Sequence, residues 1–130
     1  MKLRLLAVLC LVLGLYSCNN VNSSPSGIVN PTTITWIPPT TNEDGTPIDD
    51  GAGYGLHCSN ISGGPYVLDT DIFGWAITAV DIRGKFANGD WYCVMTAYDT
   101  SGNRSQYSSE GNFRIDKVAP NAPSGLKFIL

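Results

Sequence analysis

Positive charge is scarce in this chain and nowhere gathered: eight Lys and Arg stand against eleven Asp and Glu, a formal net charge of −3. No Lys/Arg cluster or stripe exists, so the electrostatic footprint of a nucleic-acid partner is missing. Histidine occurs once, at His57. One imidazole with no nucleophile paired to it in the pattern supports neither acyl-transfer chemistry nor a multi-histidine metal site, and no catalytic residue is assigned. The longest apolar run, Leu5 to Leu15, has eleven residues, well short of the roughly 20 that a spanning helix needs. Sustained helical periodicity is absent too, which removes helix-bundle folds.

What the chain does have begins with that apolar run. Lys2 and Arg4 precede it and Leu15-Tyr16-Ser17-Cys18 follows it, giving the layout of a cleaved export signal helix over residues 1–18. The Leu-x-Ser-Cys ending is similar to a bacterial lipobox, with Cys18 as the lipidated residue and Tyr16 off-pattern. Ordinary cleavage after Ser23 would instead release a soluble secreted protein. Cys10 leaves with the signal in either case. Loss of Lys2 and Arg4 leaves six basic residues against the eleven acids, a mature charge of −5. The product is therefore expected in the cell envelope, in the outer membrane as a lipoprotein, or outside the cell. Its membrane contact is through the lipid if Cys18 is modified.

Residues 19–29 open with Asn-Asn-Val-Asn-Ser-Ser-Pro-Ser and read as a flexible tether. Beyond it, with 14 Gly and 8 Pro in the whole chain, short strands separated by turns are expected. Thr33 to Ile37 is β-branched and aromatic and stops at Pro38-Pro39. Tyr54, Leu56 and Cys58 alternate with Gly55 and His57, which puts His57 on the solvent face of a half-buried strand. Tyr66 to Leu68, Trp75 to Ile82 (with Ile77 inward), Trp91 to Tyr98 and Gly111 to Val118 complete the set. About seven short strands over residues 30–118 define an all-β, immunoglobulin-like sandwich.

Several of these segments resemble the fibronectin type III family in its bacterial and phage branch. Thr35-Trp36-Ile37-Pro38-Pro39, Asn42 to Ile48 and Gly53-Tyr54-Gly55-Leu56 are similar to the family's B strand, BC loop and C strand. Thr96 to Ser105 with Tyr107-Ser108 is similar to its F strand and FG loop. The resemblance implies a core holding Trp36, Tyr54, Leu56, Trp91, Met95 and Ala97. Phe73 and Trp75 would pack under the sheet. Trp91 stands where the family carries a Tyr that braces the corner before strand F, and an indole can only donate there. Cys58 and Cys93 fall on inward positions of the neighbouring strands C and F. In an exported protein that placement implies a disulfide, with two buried free thiols as the alternative.

The family's first strand is cramped here, since Gly27-Ile28-Val29 runs almost directly into strand B. Residues 119–130 form a tail or an extra edge strand. Its end, Leu126-Lys127-Phe128-Ile129-Leu130, reads either as a disordered tail that opens a truncated second module or as a strand along a sheet edge of its own domain or of a neighbour's. Glu43, Asp44, Asp49 and Asp50 cluster in the BC loop. Several carboxylates together suit calcium, but their spacing fits turn chemistry better, and neither a metal nor a cofactor is assigned. The two Asn-x-Ser sequons carry no meaning in a bacterial lipoprotein, and the family's Arg-Gly-Asp signal is absent.

The expectation for function is a non-enzymatic recognition or spacer module for a protein or polysaccharide. Its binding residues are sought in the two loops of one end: Asp44, Asp49, Asp50, Tyr98, Arg104 and Tyr107. Two other readings are open, a phage- or mobile-element structural lipoprotein assembling through its C-terminal strand, and an accessory domain of an exported carbohydrate-active system.

Overall fold

The computed structural model describes residues 27–130, and the signal, Cys18 and residues 19–26 of the tether lie outside them. Six strands follow one another: β1 (Thr33–Thr35), β2 (Gly51–Ser59), β3 (Val67–Phe73), β4 (Ala79–Asp81), β5 (Gly89–Asp99) and β6 (Gly111–Ile115). β1 and β4 make a two-stranded sheet, and the other four form a sheet in the order β3-β2-β5-β6, with every neighbour antiparallel. The two sheets enclose one core between them, an immunoglobulin-like β-sandwich. The seventh strand shrinks to a parallel bridge between Val29 and Arg114 of β6, where Arg114 N–H donates to Ile28 O and Asn30 N–H to Arg114 O.

Two-residue periodicity places the core. Tyr54, Leu56 and Cys58 on β2 face Ala97, Met95 and Cys93 on β5 in register. Each pair turns inward to meet Ile72, Ile82, Phe86, Phe113 and Ile115, with Ile34, Trp36, Trp75, Val80 and Trp91 packed at the margin. Tyr54 is the hub. Trp36 meets its ring edge-on at 5.1 Å, Trp75 stacks on it at 5.0 Å, and its hydroxyl donates to the Trp75 carbonyl at 2.9 Å. Cys58 and Cys93 lie directly opposite one another and are joined as a disulfide across a Cα–Cα distance of 4.2 Å. At the corner before β5, Trp91 Nε1–H donates to the Ala87 carbonyl at 2.9 Å. The brace thus survives with its donor on the indole.

Four details depart from the sequence-based expectations. The strand expected over residues 75–82 reduces to Ala79–Asp81. Gly74, at φ 125°, and the bond from Ile77 N–H to Gly74 O turn the chain first. Ile77 is therefore 43% exposed, while Val80 and Ile82 face the core. The short strand expected at residues 66–68 runs on to Phe73, whose side chain points out at 78% exposure, although Trp75 does pack beneath the sheet. His57 is 9% exposed rather than solvent-facing, because side chains cover that side of the sheet as well. Finally, residues 119–130 contain no strand and lie exposed, so the tail does not pair along an edge of its own domain.

Candidate functional site

The covered outer face of the four-stranded sheet gathers most of the polar and aromatic chemistry. β2 contributes the strip Gly53, Gly55 and His57, and the two glycines decide what fits over it. A Cβ on Gly53 would lie 2.5 Å from the Tyr98 hydroxyl and 2.2 Å from the Ile72 carbonyl. On Gly55 it would lie 2.6 Å from Arg104 Nη1, 2.8 Å from Thr96 Oγ1 and 2.9 Å from His57 Nε2. The missing side chains make a trough in which Tyr98 lies across β2, its hydroxyl reaching Ile72 O at 3.4 Å. The Arg104 guanidinium stacks on the Tyr98 ring at 4.7 Å, pairs with Asp71 at 2.7 Å and donates to Thr96 Oγ1 at 3.3 Å.

The segment that carries Arg104 is held down by serines. Ser105 and Ser108 donate their N–H groups to Ala97 O and Met95 O, and their hydroxyls accept from Ala97 N–H and Met95 N–H. Each serine thereby replaces one residue of strand ladder, and the chain runs beside β5 before β6 begins. Tyr107 is thus laid over the sheet, edge-on to His57 at 5.2 Å and to Tyr66 at 5.5 Å. Tyr66 donates to Glu110, which also accepts from Ser62 Oγ at 2.8 Å and Gly63 N–H at 2.7 Å. Those donors, the Gly63 amide foremost, hold the Glu110 carboxyl below its ordinary pKa, and the same contact raises that of Tyr66.

His57 shares a hydrogen bond of 3.0 Å with Thr96 Oγ1. Burial is the first cause lowering its pKa and the Arg104 charge the second, with Asp71 opposing. A hydroxyl beside an imidazole is also the pairing that activates a nucleophile. Here Thr96 is buried and Arg104 donates to its oxygen at 3.3 Å.

Tyr98, Arg104 and Tyr107 therefore belong to one surface, and Asp44, Asp49 and Asp50 of the BC loop line a common cleft with them. Asp44 accepts from Thr46 N–H at 3.0 Å and from the Thr46 hydroxyl at 2.6 Å, a turn brace that lowers its pKa. Asp99 does the same for Ser101 and Asn103. The Thr100 amide donates to the backbone carbonyl of Asp50, and Asp49 stays at the surface. Glu43 accepts from Gln106 N–H at 2.9 Å and ties the two loops together. No group of three or more metal-ligating side chains exists among the described residues. Sequence reasoning missed His57, Thr96, Asp71, Tyr66 and Glu110. The usable signal was Gly53-x-Gly55 on one face of a strand, which marks a close approach from above.

No protein-family model matches the chain, and no curated protein does. Among solved structures, it is similar to a Fn3-like protein from Clostridium thermocellum. That similarity has a TM-score of 0.44 and 22% identity, and covers 68% of this chain and 79% of the other.

Proposed function

We propose that this chain is a non-enzymatic recognition module of an exported, lipid-anchored protein, and that it receives a protein or polysaccharide ligand on the outer face of the four-stranded sheet. The carrying observation is the glycine trough that seats Arg104 and Tyr98. A strand sacrifices two side chains so that a cation, its Asp71 partner and an aromatic ring are held in fixed positions. Tyr107 and Phe73, both exposed, flank this seat. Tyrosine and arginine on a rigid frame are the residue types enriched at recognition surfaces. Rigid placement lowers the ordering cost of binding. The Cys58–Cys93 disulfide suits the oxidising compartment that export would reach.

A glycan array and a pull-down from envelope extracts, each run with the wild type and with Phe73→Ala/Tyr107→Ala, test the reading. A ligand lost by the double variant supports it. Uniform failure to bind, or binding indifferent to both substitutions, leaves a spacer. Incorporation of labelled palmitate that disappears in Cys18→Ser reports the anchor.

A further inference from the structure

The two-stranded sheet has a bare side. β1 pairs with β4 and with no other strand among the described residues. Trp36 N–H donates to Thr78 O and Ile82 N–H to Thr32 O, so the even-numbered residues of β1 turn their backbone groups to β4. The amides and carbonyls of Thr33 and Thr35 consequently face away from it, along an open edge. Beside that edge lies a cleft of about 1120 Å³ whose lining includes Trp36, Tyr54, Met95, Ala97 and Phe113. The indole N–H of Trp36 is buried with no acceptor at bonding geometry. A first strand would lie here, but the chain before β1 bonds to β6 instead. Residues 19–26, NNVNSSPS, hold Val21 as their single aliphatic side chain.

Residues 126–130 present the complementary case. Leu126 is 87% and Phe128 94% exposed, with Ile129 and Leu130 equally uncovered. In an extended segment Leu126, Phe128 and Leu130 share one face, and five residues reach about 17 Å, enough to cover the three-residue edge of β1. Direction identifies the donor. A first strand antiparallel to β1 enters from the end bearing the 40–50 and 99–103 loops. The chain's own tail leaves from Ile115, which pairs with Gly89 at the opposite end. Pro120 and Pro123 keep the intervening segment extended. Charge agrees. Glu43, Asp44, Asp49 and Asp50 line the entry end of the cleft, while residues 117–130 carry Lys117 and Lys127 and no acid.

We propose that residues 126–130 of a second copy add to the free edge of β1 and fill the cleft, so that copies associate end to end. Backbone bonds to Thr33 and Thr35 give the attachment and alternate apolar side chains give its register. Every copy donates one segment and accepts one, a heterologous contact that extends into chains or closes into rings.

Sedimentation velocity of the exported protein from about 1 to about 200 µM, the range of weak contacts, is the first test. The wild type should move from monomer to larger species, and Leu126→Asp/Phe128→Asp should stay monomeric with an unchanged circular dichroism spectrum. The second test mixes Thr35→Cys with Lys127→Cys under mild oxidation, and should yield a disulfide-linked dimer containing one of each. A wild type that is monomeric throughout overturns the proposal, as does assembly that survives the tail substitutions. A Thr35→Cys/Lys127→Cys double variant that cross-links only within one chain overturns it too, since the tail would then fill its own cleft.

Discussion

Removing the Cys58–Cys93 bond, by the double substitution Cys58→Ala/Cys93→Ala, should cost this domain a large share of its stability. The bond closes a loop with a sequence separation of 35. In the chain-entropy model a loop of that size removes about 13 cal/mol/K from the unfolded ensemble, or about 3.8 kcal/mol at 25 °C. Both sulfurs are buried on the core face, so truncation to Ala adds a small cavity loss to the entropy loss, and about 4 kcal/mol is expected in total. A domain of roughly 100 residues loses about 4–8 °C of midpoint per kcal/mol, so the fall should lie near 15–30 °C. Urea unfolding followed by tryptophan fluorescence gives the free energy, and calorimetry gives the midpoint. A double variant within about 1 kcal/mol of the wild type would refute the reasoning, because neither loop closure nor burial would then be contributing.

Four further outcomes follow from single contacts. Gly55→Ala should displace Arg104 from Asp71, because the new Cβ would lie 2.6 Å from the guanidinium. Urea unfolding should show a loss of about 1–3 kcal/mol, whereas Gly111→Ala, with nothing within 4 Å, should stay within about 0.5 kcal/mol. Burial and the Arg104 charge lower the pKa of His57, so as pH falls through its unfolded value of about 6.5 the unfolded chain takes up the proton first. Stability should therefore fall as pH drops from 7 to 5, and a slope that persists in His57→Gln sinks this assignment. Asp81, held at about 2 by Arg83, acts in a separate window, its stabilisation being lost as pH falls from about 5 to 2. Trp91→Phe deletes the bond to Ala87 O and trims the ring system packed on Phe86, and thermal unfolding should report a loss larger than the bond's own contribution of about 0.5–1.5 kcal/mol.

The inner face of the sandwich was legible in the sequence because burial there obeys a period of two. Tyr54, Leu56 and Cys58, opposite Ala97, Met95 and Cys93, could be placed from alternation and family resemblance together. The outer face was not legible, and His57 shows why. Alternation identifies the face opposite the core but not what returns to cover it. Here the cover is Arg104 and Tyr107, delivered by serines that replace a strand ladder, a non-local event with no periodic signature. Ile77 was misplaced for a local reason: Gly74 at positive φ ends one extended segment and resets the phase of the next. The extension of β3 to Phe73 was hidden by Asp69 and Asp71, residues of low strand propensity that tertiary pairing with β2 overrides.

The short approach to β1 links the disulfide to the open cleft. With the first strand reduced to a bridge at Val29, the β1–β4 sheet has three residues per strand and a single ladder. Trp36, Met95 and Ala97 are only half-buried as a result. A two-stranded ribbon of this size is marginal by itself, so it needs support from its partner sheet. The Cys58–Cys93 loop encloses both β3 and β4, and thereby restrains β4, the strand paired with β1, against the long strands β2 and β5. The crosslink thus supports the half of the sandwich whose own packing is incomplete. Docking of an apolar strand on β1 would supply the remainder, and it would do so at the edge that the shortened sequence leaves open.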